Sequence, residues 1–256
     1  MNQATKDHIK KAMNQNIRYD GRKNNEYREV SIEYGVSSTA EGSARVRFGD
    51  CEVIAGVKLS VGTPFADTPD EGVLMVSAEM LQIANEKFEG GQPGIDAIEL
   101  ARVIDSGVRE SHMINNEKLS ITSGEKVWMV SVDICPVNAN GNLFDISALA
   151  AVAALQDACF PEMVNGKPDY HKKTNEKLPI DTVPISITIY KFGNHLVVDP
   201  TEEEIDAADA RLTMAFVEDD QLVALQKGGE APFDPKEIDE IIELGKKKAR
   251  ELRALL

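Results

Sequence analysis

One helical segment without a polar face constrains the fold of this chain more than any other feature of its sequence. The stretch from Ile146 to Leu155 reads ISALAAVAAL and contains no charged residue. A helix that is apolar on every side has to lie between other layers of structure, because at a surface part of it would face water. We therefore predict that the helix led by Asp145 is central to the core.

Apolar residues recur at every second position in several other segments, which is the spacing of strands. Val30, Ile32 and Tyr34 begin such a pattern, and it continues through a turn at Gly49-Asp50. We predict an antiparallel meander with its clearest hairpin at residues 48–51. Further strands are predicted over 73–78, 127–135, 185–189, 195–198, 211–217 and 221–226.

Helical spacing occurs in three other places. Ile9, Ala12 and Met13 follow one another at i, i+3 and i+4 and predict a short amphipathic arm. A second helix is predicted after Gly94. The last one begins after Asp234, since a capping residue followed by Pro and then Glu is typical of a helix start.

The order of these elements indicates two domains. A chain of 256 residues is long enough for one large or two modest domains, and strands followed by helices in each half favour two related α+β units. We predict an N-terminal amphipathic arm at 1–17, a first domain at 18–160 and a second domain at 185–256. Residues 161–184 contain four prolines and almost no periodic pattern, so they are predicted to be a linker.

Charge and composition exclude several classes of protein. Lys and Arg number 28 against 43 Asp and Glu, a net charge of −15, which is the wrong sign for binding nucleic acid over the whole surface. A polyanion would have to meet a local basic patch, or one that a second subunit supplies. No apolar run approaches the roughly 18 residues that a membrane span needs, and the N-terminus lacks the pattern of a secretory signal, so we expect a cytoplasmic protein.

Two arginines are the first candidate site. Arg102 and Arg109 lie seven residues apart, with Ser106 between them, on one face of the predicted helix. Seven residues correspond to about 10 Å along a helix axis, near the span of consecutive phosphates in an extended single strand. The alternative is a solvated face on which the arginines pair with neighbouring carboxylates.

An acidic run is the second candidate. Glu202, Asp206 and Asp209 are spaced as on one helix face and could supply oxygen ligands to a metal ion. An exposed acidic turn is favoured instead, because metal sites that do chemistry usually draw carboxylates from separate elements. The sequence contains none of the common nucleophile, metalloprotease or phosphate-loop motifs, so neither a catalytic residue nor a cofactor or metal is predicted.

Five separated stretches, in the same order, resemble the RNase PH superfamily. Within it they are most similar to the non-catalytic RNase PH-like subunits of archaeal exosomes. They are RYDGRKNNEYREVSIEYGV (18–36), EGSARVRFGDCEVIAGVK (41–58), DTPDEGVLMVSAEML (67–81), AIELARVIDSGVRES (97–111) and QKGG (226–229). The resemblance implies an α+β fold of two domains, the first with a ribosomal-protein-S5-domain-2-like sheet and helices, the second smaller.

The resemblance also implies a role. Such subunits alternate with a catalytic RNase PH-like partner in a ring of six, whose channel threads single-stranded RNA for phosphorolysis from the 3′ end, with RNA-binding cap proteins attached. It implies that Arg102 and Arg109 face the RNA, where Ser106 stands at a position that is often a third arginine.

Departures from the family pattern concern catalysis. Active members hold the attacking phosphate with a Gly-Gly-Thr-Arg stretch, and its counterpart here is Gly141-Asn-Leu143-Phe144. An acidic pair of active members has Ile205 and Arg211 as its counterpart, although a shift of one residue would bring Asp206 into play.

A basic RNA-gripping loop is also missing, because residues 62–72 contain no Lys or Arg. We therefore expect a non-catalytic ring subunit. Two alternatives stay open: a self-sufficient phosphorolytic exoribonuclease that forms a homohexamer, and an acidic protein-binding module without RNA contact.

Overall fold

A computed structural model describes residues 3–15, 17–164 and 166–256 of the chain. The helices within those ranges are α1 (Gln3–Met13), α2 (Ile95–Glu110), α3 (Leu143–Asp157), α4 (Glu202–Ile205) and α5 (Pro235–Arg253). The strands there are β1 (Val30–Tyr34), β2 (Gly42–Phe48), β3 (Cys51–Gly62), β4 (Val73–Ala78), β5 (Ser120–Thr122), β6 (Lys126–Asn138), β7 (Cys159–Val164), β8 (Lys167–Lys177), β9 (Ile185–Phe192), β10 (His195–Val198), β11 (Ala210–Phe216) and β12 (Leu222–Gly229).

The first sheet has the order β1-β2-β3-β6-β4, with β5 paired to β6. β1 to β3 form the predicted antiparallel meander, in which Phe48 lies opposite Cys51 at the hairpin. β4 is parallel to β6. Alternate residues of β3 are buried and join the hydrophobic core that contains α3, as expected for a sheet with one covered face.

The second sheet has the order β10-β9-β11-β12 and is antiparallel throughout. One face of this sheet carries large apolar side chains, and the other carries smaller ones where it meets α2. Met214 and Phe216 pack against α5, where a Cβ on Gly245 would lie 2.8 Å from the Met214 side chain. The opposite face includes Ser186 and Ala215, both of which lie close to Gly107 of α2.

Helix α3 lies between the two sheets, and the prediction that it is central is confirmed. All residues from Asp145 to Leu155 are buried, and α3 contacts β2 and β3 of the first sheet as well as β9 of the second. α2 packs beside it, between β4 and β12. The molecule is therefore layered as sheet, helix pair, sheet and α5.

The N-terminal arm is a helix that docks on the second sheet. Ile9 and Met13 are buried against Tyr190 and Phe192, which is the amphipathic face that the spacing predicts. Met1, Asn2 and Asn16 of the predicted arm lie outside the described residues. None of the described helices is long and apolar enough to cross a bilayer.

The predicted linker differs most from the structure. Most of residues 161–184 belongs to an antiparallel hairpin, because β7 pairs with β8 from Cys159↔Lys177 to Val164↔Lys167. β8 is exposed along nearly its whole length, so it lacks the alternation that marks a half-buried strand. The sequence did not predict these two strands, because the alternation that indicates a strand comes from half-buried strands. The role of the segment as a linker stays a prediction.

The contact between β2 and α3 generates a stability prediction. A Cβ on Gly42 would collide with the carbonyl oxygen of Ala154 and lie 2.5 Å from Cα of Ala158. Gly42→Ala should therefore destabilise the protein by about 1–3 kcal/mol, the usual range for overpacking a core. Denaturant unfolding measures this difference.

The matched control is Gly56→Ala in β3, where the nearest atom to an added Cβ is 3.8 Å away. That variant should be as stable as the wild type, or slightly more so. Equal destabilisation by both substitutions would contradict close packing between β2 and α3.

Candidate functional site

A tight turn fixes the start of α3. Gly141 and Asn142 both have left-handed backbone conformations, with φ of 81° and 48°. A Cβ on Gly141 would lie 2.6 Å from the carbonyl carbon of Thr201, so only glycine permits this close approach. The turn holds Leu143 and Phe144 beside the chain that leads into α4.

These side chains line a cavity of about 260 Å³, the central cavity. It is enclosed by the start of α3, by α2, by α4, by β11 and by the segment around Lys87. The residues that matter for its chemistry are Lys87, Asp96, Glu99, Leu143, Phe144, Tyr190, Glu202, Ile205, Asp206 and Arg211. The structure thus brings together Leu143, Phe144, Ile205 and Arg211, the four residues that the resemblance places at catalytic positions of active family members.

Arg211 is held on three sides within the central cavity. Its guanidinium carbon lies 4.5 Å from the centre of the Phe144 ring, a cation–π contact, and its Nη2 lies 2.5 Å from Oε1 of Glu99. Gly228 is its neighbour across the sheet, and a Cβ there would collide with the guanidinium group. The arginine is largely covered, since its side chain is 19% exposed.

The acidic run does not form the single helix face on which a metal site would depend. α4 ends at Ile205, so Asp209 lies beyond it and pairs with Lys10 of α1 at 2.5 Å. Glu202 and Asp206 both pair with Lys87, at 2.9 and 3.1 Å. Among the residues that the structure describes, no three His, Cys, Asp or Glu side chains are grouped to bind a metal ion.

A buried carboxylate, that of Asp199, is the centre of a charge network that sequence reasoning missed. Asp199 is fully buried and accepts hydrogen bonds from Arg22 Nη1 at 2.8 Å and from Arg28 Nε and Nη2 at 2.9 and 2.6 Å. The side chain of Asn142 donates to it at 3.3 Å. The network ties the chain before β1 to the turn before α3.

A second buried ion pair extends this network. Arg18 and Glu204, whose side chains are 0% and 2% exposed, are joined at 2.7 Å, and Arg18 also donates to the carbonyl oxygens of Val198 and Asp199. The only sequence signal was the Asp20-Gly-Arg22 triplet in the first resembling stretch. The partners of Arg18 and Arg22 lie about 180 residues away and have no local pattern of their own.

Asp145, in the first turn of α3, is a buried acid between the domains. Its Oδ2 accepts hydrogen bonds from the Tyr27 hydroxyl at 2.6 Å and from Asn142 at 3.0 Å. Burial raises the pKa of Asp145 to about 7, although these hydrogen bonds act in the opposite direction. The group therefore changes charge close to neutral pH.

A second, larger cavity is a groove of about 560 Å³ between α2 and the second sheet, here named the α2 groove. Arg102 lines it and is exposed to solvent. Within residues 3–15, 17–164 and 166–256, no group forms a hydrogen bond or an ion pair with the side chain of Arg102. Glu99 is the other charged residue along the described groove wall, and it is already paired with Arg211.

The other predicted RNA-binding residue, Arg109, has a different environment. It is exposed, but it forms a bidentate pair with Asp105, at 2.7 and 3.0 Å, and donates to the carbonyl oxygen of Leu74 at 3.1 Å. It does not line the α2 groove. The two arginines thus share a helix, while only Arg102 has an unpaired guanidinium group among the described contacts.

Comparison with known proteins defines the class of this chain. Residues 26–161 match domain 1 of the 3′ exoribonuclease family, and residues 182–248 match domain 2. The chain belongs to this family, the RNase PH family, and has its two domains.

Several of its relatives within the family are archaeal proteins. The chain is 43% identical over 251 residues to the exosome complex component Rrp42 of Methanocella arvoryzae, covering 98% of this chain and 95% of that protein. A chain of the Archaeoglobus fulgidus exosome with RNA bound to the active site is 43% identical, with a TM-score of 0.91 and coverage of 98% and 97%. A chain of an archaeal exosome core is 41% identical, with a TM-score of 0.85 and coverage of 98% and 95%. The resemblance stated from the sequence is confirmed.

The environment of Asp145 generates a pH prediction. The pKa is about 7 in the folded protein and about 3.9 in an unfolded chain, so the folded state binds more protons between these values and its stability falls as pH rises. Three pKa units correspond to about 4 kcal/mol, an upper estimate. The free energy of unfolding of the wild type should therefore fall, relative to that of Asp145→Asn, as the pH rises from about 4 to about 7. Urea unfolding at several pH values measures this difference.

The matched control is the exposed Asp219, which undergoes the same change of charge in Asp219→Asn. Between about pH 4 and pH 7 the free energy of unfolding of Asp219→Asn, relative to the wild type, should change less than that of Asp145→Asn, because Asp219 is exposed and Asp145 is buried. If the Asp145→Asn and wild-type stability profiles ran parallel from about pH 4 to pH 7, the raised pKa would be disproved.

Proposed function

We propose that this chain is a non-catalytic ring subunit of an archaeal RNA exosome. In this role it structures the active site of a catalytic RNase PH-like partner and contributes to RNA binding during 3′ to 5′ degradation. The observation that supports this most directly is the stack of Arg211 on Phe144 inside the central cavity. Phe144 stands where the resemblance implies a phosphate-binding arginine, and Arg211 stands where it implies a carboxylate.

The charges around the cavity also disfavour a phosphate nucleophile. Lys87 and Arg211 are its cations, and each is neutralised by carboxylates of the same cavity. Four carboxylates line the cavity against these two cations. A phosphate ion would need unpaired donors in fixed positions, whereas Leu143 and Phe144 offer none.

The names of the relatives support a role in a complex. Those reported above are a component of an exosome complex, a chain of an exosome with RNA bound to the active site and a chain of an archaeal exosome core. This favours an alternating six-membered ring with a catalytic partner, to which RNA-binding cap proteins attach, over a self-sufficient homohexamer. The cytoplasmic location stays a prediction.

For RNA binding we propose Arg102 as the primary phosphate contact and Arg109 as a secondary one. Arg102 has no competing partner among the described residues. Arg109 would have to share its guanidinium group with Asp105. An acidic module without RNA contact remains the competing function, and RNA binding by the assembled ring distinguishes it.

The proposal predicts the outcome of a nuclease assay. The purified chain alone should not shorten single-stranded RNA in the presence of phosphate, whereas the ring assembled with its catalytic partner should do so. Leu143→Thr combined with Phe144→Arg should not make the lone chain active, because Ile205 and Arg211 are still present. Release of nucleoside diphosphates by the lone wild-type chain would refute the non-catalytic role.

RNA affinity of the assembled ring tests the two arginines. Arg102→Ala should weaken binding and lower the slope of log affinity against log salt by about 0.7 for each phosphate that is no longer neutralised. Arg109→Ala should have a smaller effect, since its charge is already offset by Asp105. Lys247→Ala, on the exposed face of α5, is the control, and an Arg102→Ala ring that binds RNA like this control would exclude Arg102 from the RNA site.

A further inference from the structure

We propose that Arg211 is a positioning residue for RNA binding, because it holds Glu99 away from Arg102 and so leaves Arg102 free to bind a phosphate of single-stranded RNA. This inference rests on the proposed function. It assigns a role to a side chain that stands where the family pattern suggests an acidic residue.

Glu99 and Arg102 are potential partners on one helix. They are three residues apart on α2, a spacing that places side chains side by side and allows an ion pair. Both line the α2 groove, while Glu99 also lines the central cavity. The Glu99 carboxylate therefore lies at the boundary between the two cavities and can face either arginine.

The structure shows which arginine it faces. Glu99 Oε1 lies 2.5 Å from Arg211 Nη2, and this pair is partly shielded, with side-chain exposures of 19% for Arg211 and 34% for Glu99. The Phe144 ring fixes the guanidinium plane, and Gly228 leaves the space in which that group lies. Arg211 can thus hold Glu99 at a small cost in side-chain freedom.

The next turn of α2 shows how an acid and an arginine pair when no arginine from another element binds the acid. Asp105 has no second cation bonded to it among the described residues, and it forms a bidentate pair with Arg109. Glu99 is paired with Arg211 of β11, and Arg102 beside it on α2 has an unpaired side chain. Asp105 has no such partner from another element, and Arg109 beside it is paired with it.

The pairing of Glu99 with Arg211 also makes the net charge of the α2 groove positive. Glu99 and Arg102 are the two charged residues on its described walls, and the rest are apolar side chains, hydroxyls and one amide. With Glu99 paired to Arg211, the groove presents one cation to a ligand. With Glu99 released, a carboxylate would compete with the phosphate for Arg102 and repel it.

The test measures binding of a fluorescent single-stranded oligoadenylate to the ring assembled with its catalytic partner, by anisotropy at low salt. Arg211→Met should weaken binding about two- to fivefold, the range expected for a partly exposed ion pair that competes for Arg102. Gly228→Ala should weaken it similarly, since the added methyl displaces the Arg211 guanidinium group without changing any charge.

Removing the competitor should restore binding. Glu99→Gln combined with Arg211→Met, or with Gly228→Ala, should return the affinity close to that of the wild type. Arg45→Met is the matched control, because Arg45 is also a paired arginine, bonded to Glu33 and Glu52 on the first sheet. It should leave the affinity unchanged, and thermal unfolding verifies that each variant is folded.

The outcomes separate the two proposals. If Arg102→Ala weakens binding while Arg211→Met and Gly228→Ala do not, the positioning role of Arg211 is overturned and the RNA-binding function stands. The positioning role is equally overturned if Glu99→Gln fails to restore binding. If Arg102→Ala itself has no effect, Arg102 is excluded from the RNA site, and the positioning role of Arg211 is overturned with it.

Discussion

The arrangement of both domains depends on the hydrogen bonds and ion pairs of one fully buried carboxylate, that of Asp199. A buried charge is expensive unless it is paired and hydrogen-bonded, and Asp199 meets that requirement with Arg22, Arg28 and Asn142. These partners come from before β1 and from the turn before α3, whereas Asp199 follows β10 in the second domain. Removing one partner of a buried pair typically destabilises a protein by about 3–5 kcal/mol, so the relative placement of these segments is strongly determined.

The buried charge network, rather than the residues inside the central cavity, fixes the positions of the cavity walls. Asn142 bonds to Asp199 and directly precedes Leu143 and Phe144, while Glu204, which pairs with Arg18, directly precedes Ile205. Both walls are therefore held by buried charges outside the cavity. The side chains inside the cavity, among them Phe144 and Arg211, are therefore not what holds its walls in place.

The sequence predicted what depends on local patterns and missed what depends on distant partners. α3 followed from its uncharged composition, and the start of α5 followed from Asp234 and Glu237, which form the expected reciprocal cap. The β7–β8 hairpin was missed because an exposed strand has no alternation. The Asp199 network and the pairing of Glu99 with Arg211, 112 residues apart, leave no periodic signal. For that reason the sequence placed Arg102 and Arg109 on one face but could not distinguish a free arginine from a paired one.

A phosphate near the surface of this chain would respond to the nearest side chains more than to the net charge of the whole chain. Charges farther apart than about 8–10 Å are largely screened at physiological salt, so the net charge of −15 has less effect on a phosphate than the nearest few side chains. Around α2 the carboxylates of Glu99 and Asp105 are each held by a different arginine. Arg211 offsets Glu99 from the side of the central cavity, and Arg102 is left as the unpaired charge of the groove. The arginine in the central cavity and the unpaired arginine in the groove are thus parts of one electrostatic arrangement, and the proposed binding of an RNA phosphate at Arg102 depends on it.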